Sequence, residues 1–130
     1  MWTGFAYVAI GGAIGACLRH ATNLYASTTF TSSSWPWGTF LVNLIGSILM
    51  GLVIGWLLTL GEKAQAQTLR VLLATGVLGG FTTFSAFSLE VFDLIKAGDP
   101  TKAALYAGSS LLLGVLAVAF GLWAAQKVFA

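Results

Sequence analysis

One short run in this sequence has side chains of the types and spacing needed to handle ions: Gly76-Val77-Leu78-Gly79-Gly80-Phe81-Thr82-Thr83-Phe84-Ser85-Ala86-Phe87-Ser88. Three glycines, two threonines, two serines and three phenylalanines sit at the centre of an apolar segment, Leu69 to Ile95, long enough to cross a bilayer. If the Gly79-Gly80 pair and the residues after it unwind the helix, carbonyls on one side and amides on the other lose their helical partners. Freed carbonyls can coordinate a small cation, and a helix N-terminus favours an anion. Thr82, Thr83, Ser85 and Ser88, with Asn43 and Ser110 from elsewhere, carry hydrogens that could replace the water shell of a small, hard anion. Phe81, Phe84 and Phe87 recur every three residues. Such a stripe packs or faces lipid in one reading; in the other it turns its positive ring edges toward an anion. Hydrocarbon tolerates a centre of this kind only where it is buried in protein or lines a watery cavity.

The rest of the chain says what must position this run. Of 130 residues, 58% are hydrophobic and only 8% charged, and the mean hydropathy is +0.90. That composition is an integral membrane protein's, not a soluble domain's. There is no basic face for nucleic acid. One His and one Cys leave no zinc or iron ligand set, and Cys17, among glycines and alanines, reads as apolar filler. A serine hydrolase needs a general base near its nucleophile, and only His20 is on offer, so an enzyme is not expected.

Four apolar stretches give an all-α fold in a single membrane domain over residues 1–130, with spans at about 4–25, 37–60, 69–95 and 101–126. The first carries its positive residues, Arg19 and His20, after its apolar core, the reverse of a signal peptide, and is read as a mature helix. Its pairs Gly11/Gly15 and Gly12/Ala16 let helices approach closely. Arg19 continues that face, either snorkelling to the headgroups or standing at the mouth of an anion path. Trp35-Pro36-Trp37 marks a membrane interface and opens the second span. There Asn43, Ser47, Gly51 and Gly55 form one small, polar stripe, and Asn43 serves either an interhelical hydrogen bond or a ligand. Gly61 to Arg70 reads as a polar loop. The third span, broken at its centre, holds the opening run and ends with Glu90, Asp93 and Lys96. Asp99 is placed to cap the fourth helix with Pro100 at its first position, and Tyr106, Ser110 and Gly114 share one face.

Four spans place Lys63, Arg70 and Lys127 on one side and Arg19, Lys96 and Lys102 on the other. Lysine and arginine excess usually sets orientation, and three against three gives none. Either other signals fix one orientation, or the chain inserts both ways and two copies pair antiparallel. Four helices enclose little interior, so a pore favours a second copy.

Three motifs carry a family resemblance. The run Gly79-Gly80-Phe81-Thr82-Thr83-Phe84-Ser85-Ala86-Phe87-Ser88-Leu89-Glu90 looks like the hallmark of the CrcB-type, or Fluc, fluoride channels. Gly38-Thr39-Phe40-Leu41-Val42-Asn43-Leu44-Ile45-Gly46-Ser47 resembles the family's second-helix motif, and Gly11-Gly12-Ala13-Ile14-Gly15-Ala16-Cys17-Leu18-Arg19 its first. The resemblance implies a dual-topology antiparallel homodimer in a bacterial inner membrane, with two fluoride pathways for passive export and a structural sodium ion at the centre. By the same resemblance Phe84 and Phe87 match the pore phenylalanines and Asn43 the pore asparagine. Gly79 and Thr82 match the positions whose backbone carbonyls hold sodium. Ser110 and Tyr106, with Ser85, fall on the polar track; Arg19 matches the first-helix arginine, and Glu90 closes the motif near a pore mouth. Two positions depart from the pattern: Gly114 stands where some relatives have a hydroxyl, and Ala86 where a threonine is common. The alternative is a proton-coupled exporter of the small multidrug-resistance type. It needs a carboxylate near mid-membrane, and Glu90 lies toward the end of its span.

Overall fold

The computed structural model describes residues 2–129. Its elements are α1 (Trp2–Thr29), α2 (Trp37–Thr59), α3 (Ala64–Leu69), a π-helical segment (Arg70–Leu78), α4 (Gly79–Phe81), α5 (Phe84–Lys96) and α6 (Pro100–Phe129). No strand occurs among the described residues. The helix α2, the run Ala64–Lys96 and the helix α6 are long and apolar enough to cross a membrane. The 28-residue α1 has the length, but glycine, alanine, Arg19 and His20 make it less apolar than those three.

Two close helix contacts hold the fold: α2 against α6, and α1 against the π-helical segment with α4. Each depends on missing side chains. A Cβ on Gly51 would stand 2.9 Å from the Gly121 Cα and 2.8 Å from the Leu122 nitrogen, and one on Gly80 would stand 2.9 Å from the Gly12 Cα. Such separations leave no room even for alanine, so backbones touch where lipid-embedded helices have no hydrophobic drive to pack.

Helix ends follow from local chemistry. Gly98 has φ 82°, the left-handed conformation that stops α5. Its N–H bonds the Ile95 carbonyl at 3.0 Å while the Asp99 N–H reaches the Leu94 carbonyl at 3.1 Å, a Schellman closure. Asp99 then caps α6: Oδ1 accepts from the Lys102 N–H at 3.0 Å, and Oδ2 pairs with Lys102 Nζ at 2.8 Å. The side-chain hydrogen bond from Lys102, with its backbone N–H, holds the Asp99 carboxyl below its usual range.

Two expectations shift. Ala64–Leu69 is helical and not part of a loop, because alanine, glutamine and leucine are good helix formers and the turn needs only Gly61, at φ 66°, to end α2. The helix does not unwind at the glycine pair either. Gly79 is helical at φ −64°, ψ −36°, and the chain becomes extended only at Thr82 (φ −78°, ψ 160°) and Thr83 (φ −151°, ψ 126°). Gly80 serves the close approach to α1 instead.

Candidate functional site: the break at Thr82–Thr83

A break inside a membrane segment leaves backbone groups needing partners. Here two side chains from other helices supply them. Asn43 on α2 faces Thr83 like a strand partner: its Oδ1 accepts from the Thr83 N–H at 2.9 Å, and its Nδ2 donates to the Thr83 carbonyl at 3.0 Å. Arg19 on α1 donates from Nη1 to the Thr82 carbonyl at 3.2 Å. The Arg19 guanidinium thus engages the break and lines neither of the grooves beside it. Thr83 in turn starts α5, its Oγ1 accepting from the Ala86 N–H at 3.2 Å. In an unbroken helix the Thr83 N–H would bond the Gly79 carbonyl. With that N–H on Asn43, the carbonyl is released on an exposed stretch of chain.

Two grooves flank the break. One, of about 400 Å³, is lined by residues including Asn43, Gly46, Gly79, Thr82 and Phe84. The other, of about 280 Å³, brings together Asn43, Ser47, Phe84, Phe87 and Ser110, with Gly114 in its wall. Phe84 is 79% exposed on this face, and its ring centroid is 5.8 Å from that of Phe87. The Ser110 Oγ is buried and has no hydrogen-bond partner among the described residues.

Beyond Phe87 lies a second cluster. The Phe87 and Tyr106 centroids are 5.3 Å apart, and Tyr106 is fully buried. Its hydroxyl donates to Glu90 Oε2 at 2.7 Å, while the buried Thr39 hydroxyl donates to Glu90 Oε1 at 2.7 Å. Both carboxylate oxygens are thereby satisfied inside the protein. Thr39 and Glu90 also border a third cavity of about 360 Å³ toward the α1–α2 connector, with Asn23, Ser33 and Trp35 in its wall. Trp35 sets its ring edge-on to Tyr106 at 5.4 Å. Groove, phenylalanine, carboxylate cluster and outer cavity therefore follow one another along α5.

Asn43, Phe84, Phe87 and Ser110 thus share one groove, Glu90 and Tyr106 join in the next cluster, and Arg19 meets Thr82. Ser85 lies apart: it is exposed, 3.4 Å by its hydroxyl from Thr83 Oγ1, and lines neither groove. Sequence reasoning gave Thr39 no role. Its signal was present, since it precedes Asn43 by four and extends the Asn43–Ser47–Gly51–Gly55 stripe back by one helical turn.

Long apolar helices packed around an interrupted one, whose freed backbone groups are met by side chains of other helices, define a multi-pass membrane protein. The chain belongs to the CrcB-like family (CrcB-like protein, Camphor Resistance), which it matches over residues 6–122. Its relatives include proteins named fluoride-specific ion channel FluC. That of Hyphomonas neptunium is 57% identical over 127 residues, 98% of each chain. That of Novosphingobium aromaticivorans is 50% identical, covering 92% of this chain and 94% of its own. That of Caulobacter sp. strain K31 is 47% identical, covering 94% of both.

Proposed function

We propose that this protein is a fluoride-selective channel, not an enzyme, and that it lets fluoride leave the cytoplasm down its gradient. The observation that carries the reading is near-full-length identity of up to 57% to proteins named for that activity. The geometry agrees with it. The groove offers the unpaired Ser110 hydroxyl, the Asn43 amide and the Phe84 and Phe87 rings, all neutral. Neutral donors replace an anion's hydration without the over-tight binding that a lysine or arginine in the path would bring. The N-terminal end of α5 points its free amides toward the same break.

The finer reading has four spans, with α1 as the first and the run Ala64–Lys96 as the interrupted third. Two copies pair antiparallel in a bacterial inner membrane and form two pathways. Support comes from the balanced lysines and arginines and from Phe84 and Gly79, which lie exposed although they border the grooves. A structural sodium ion at the centre fits the donors present. The Gly79 carbonyl lacks its helical N–H, and the Thr82 carbonyl keeps a second lone pair beside the one facing Arg19. When bound, the ion would tie the two breaks together electrostatically. Arg19 holds the Thr82 carbonyl, and Asn43 holds Thr83 beside it.

Liposomes carrying purified protein, read with fluoride and chloride electrodes, test the function. Fast fluoride loss with chloride retained is expected, and it should persist when the proton gradient is collapsed. Equal or absent fluxes overturn the channel; flux that stops with the proton gradient returns the exporter. Cross-linking that recovers only parallel dimers overturns the antiparallel pairing.

A further inference from the structure

At the end of α2 opposite Trp35 and Trp37, the chain turns through Gly61 and forms a groove of about 690 Å³. It shares no lining residue with the cavities beside the break. Its walls differ in chemistry. Ile54, Leu57 and Leu58, from the last turns of α2, make an apolar side; Lys63 and Arg70, flanking α3, bring two cations to its rim. Neither cation has a hydrogen bond or ion pair among the described residues, where the ion pair formed is Lys102 with Asp99. Solvated surface charges are the ordinary explanation for two such residues, but depth argues otherwise. The 23 residues of α2 span about 34 Å at 1.5 Å each, close to the roughly 30 Å of a hydrocarbon core. With the tryptophans at one interface, Lys63 falls at headgroup level on the other, and Arg70, seven residues on in the chain that turns back through α3, borders the same groove beside the apolar wall.

We propose that this groove seats an anionic phospholipid, its phosphate between Lys63 and Arg70 and an acyl chain along Ile54, Leu57 and Leu58. Basic pockets between membrane helices hold anionic headgroups in this way. Glu62 also lines the groove, which leaves one net positive charge. That balance suits a single phosphodiester and disfavours headgroups of higher charge. Free phosphate would have no use for the apolar wall.

Native mass spectrometry of the purified full chain tests this, comparing phosphatidylglycerol with phosphatidylcholine of the same acyl chains. Phosphatidylglycerol should be retained preferentially. Lys63→Gln and Arg70→Gln should each weaken it about fivefold, the equivalent of roughly 1 kcal/mol per basic residue at an anionic surface. Lys127→Gln, outside the groove, should leave retention unchanged. Equal retention of the two lipids, or retention indifferent to the double substitution Lys63→Gln/Arg70→Gln, overturns the site. An equal loss with Lys127→Gln makes the effect a diffuse surface charge and also overturns it. Full displacement by inorganic phosphate points to a free-anion site and rejects the lipid. None of these outcomes depends on fluoride conduction.

Discussion

Asn43→Leu should loosen the break without disturbing the bulk of the fold. Leucine nearly keeps the volume but removes both bonds to Thr83, at 2.9 and 3.0 Å. Each such bond contributes about 0.5–1.5 kcal/mol net, and a buried backbone group left without a partner costs about 1–3 kcal/mol. Thr83 is half-buried and borders an open groove, so water recovers part of the loss. About 2–4 kcal/mol remains, which should raise hydrogen exchange of the Thr83 amide about 30- to 700-fold at tenfold per 1.4 kcal/mol. Asn43→Ala should cost less, because the space it opens admits water to the same groups. The order of the two variants is thus the reverse of a simple cavity effect, in which alanine would be worse. Exchange mass spectrometry resolving the α4–α5 junction makes the measurement. Unchanged Thr83 exchange in Asn43→Leu, or a larger increase in Asn43→Ala, would refute the reasoning.

Phe84→Ile and Phe87→Ile should each cut fluoride flux from liposomes sharply while the protein remains folded; undiminished flux would return both rings to packing. Tyr106→Phe removes the 2.7 Å bond to Glu90, and at about 1.5–3 kcal/mol for a bond to a charged acceptor it should lower resistance to thermal unfolding in detergent. Gly51→Ala should weaken the α2–α6 contact by about 1–3 kcal/mol through overpacking, read the same way, and Gly80→Ala should do the same to the contact with α1, whereas Gly12→Ala, whose added Cβ meets nothing, should be tolerated. Asp99 has a lowered folded-state pKa, so its cap contributes fully above the ordinary value of 3.8 and is lost as pH falls through the lower one. A carboxyl titration by NMR should therefore find its midpoint below 3.8 and find it restored toward that value in Lys102→Gln.

Much of this was legible in the sequence, and the misses share one cause. Composition gave the membrane, the apolar stretch gave the end of α2, and local chemistry gave the Asp99 cap. The small-residue pairs of α1 announced a close contact without naming its partner. The break was anticipated in the right segment, over Gly79-Gly80 and the residues after them, on the premise that weak helix formers unwind; the helix runs through the pair and breaks only at Thr82 and Thr83. What ends the helix is a partner 40 residues away: Asn43 offers Thr83 both a donor and an acceptor, so extended backbone there is satisfied. A local propensity of about 1 kcal/mol per glycine is outweighed by such a pair of bonds. The same distance hid Thr39, whose role exists only because Glu90 folds against it.

Arg19 adds a point about charge. Under the proposed function, an anion path needs a positive potential to draw fluoride in and must not hold it. The guanidinium sits on the Thr82 carbonyl and lines neither groove. In that reading its charge acts at one remove, through the break, and offers no contact ion pair. Glu90 is arranged by the complementary logic. Both its oxygens accept hydrogen bonds from buried hydroxyls, Thr39 and Tyr106, and it does not line the phenylalanine groove. Arg19 and Glu90 are thus both tied to other groups of the protein, and the groove beside the phenylalanines, where the proposed function puts the anion, is lined by neutral side chains.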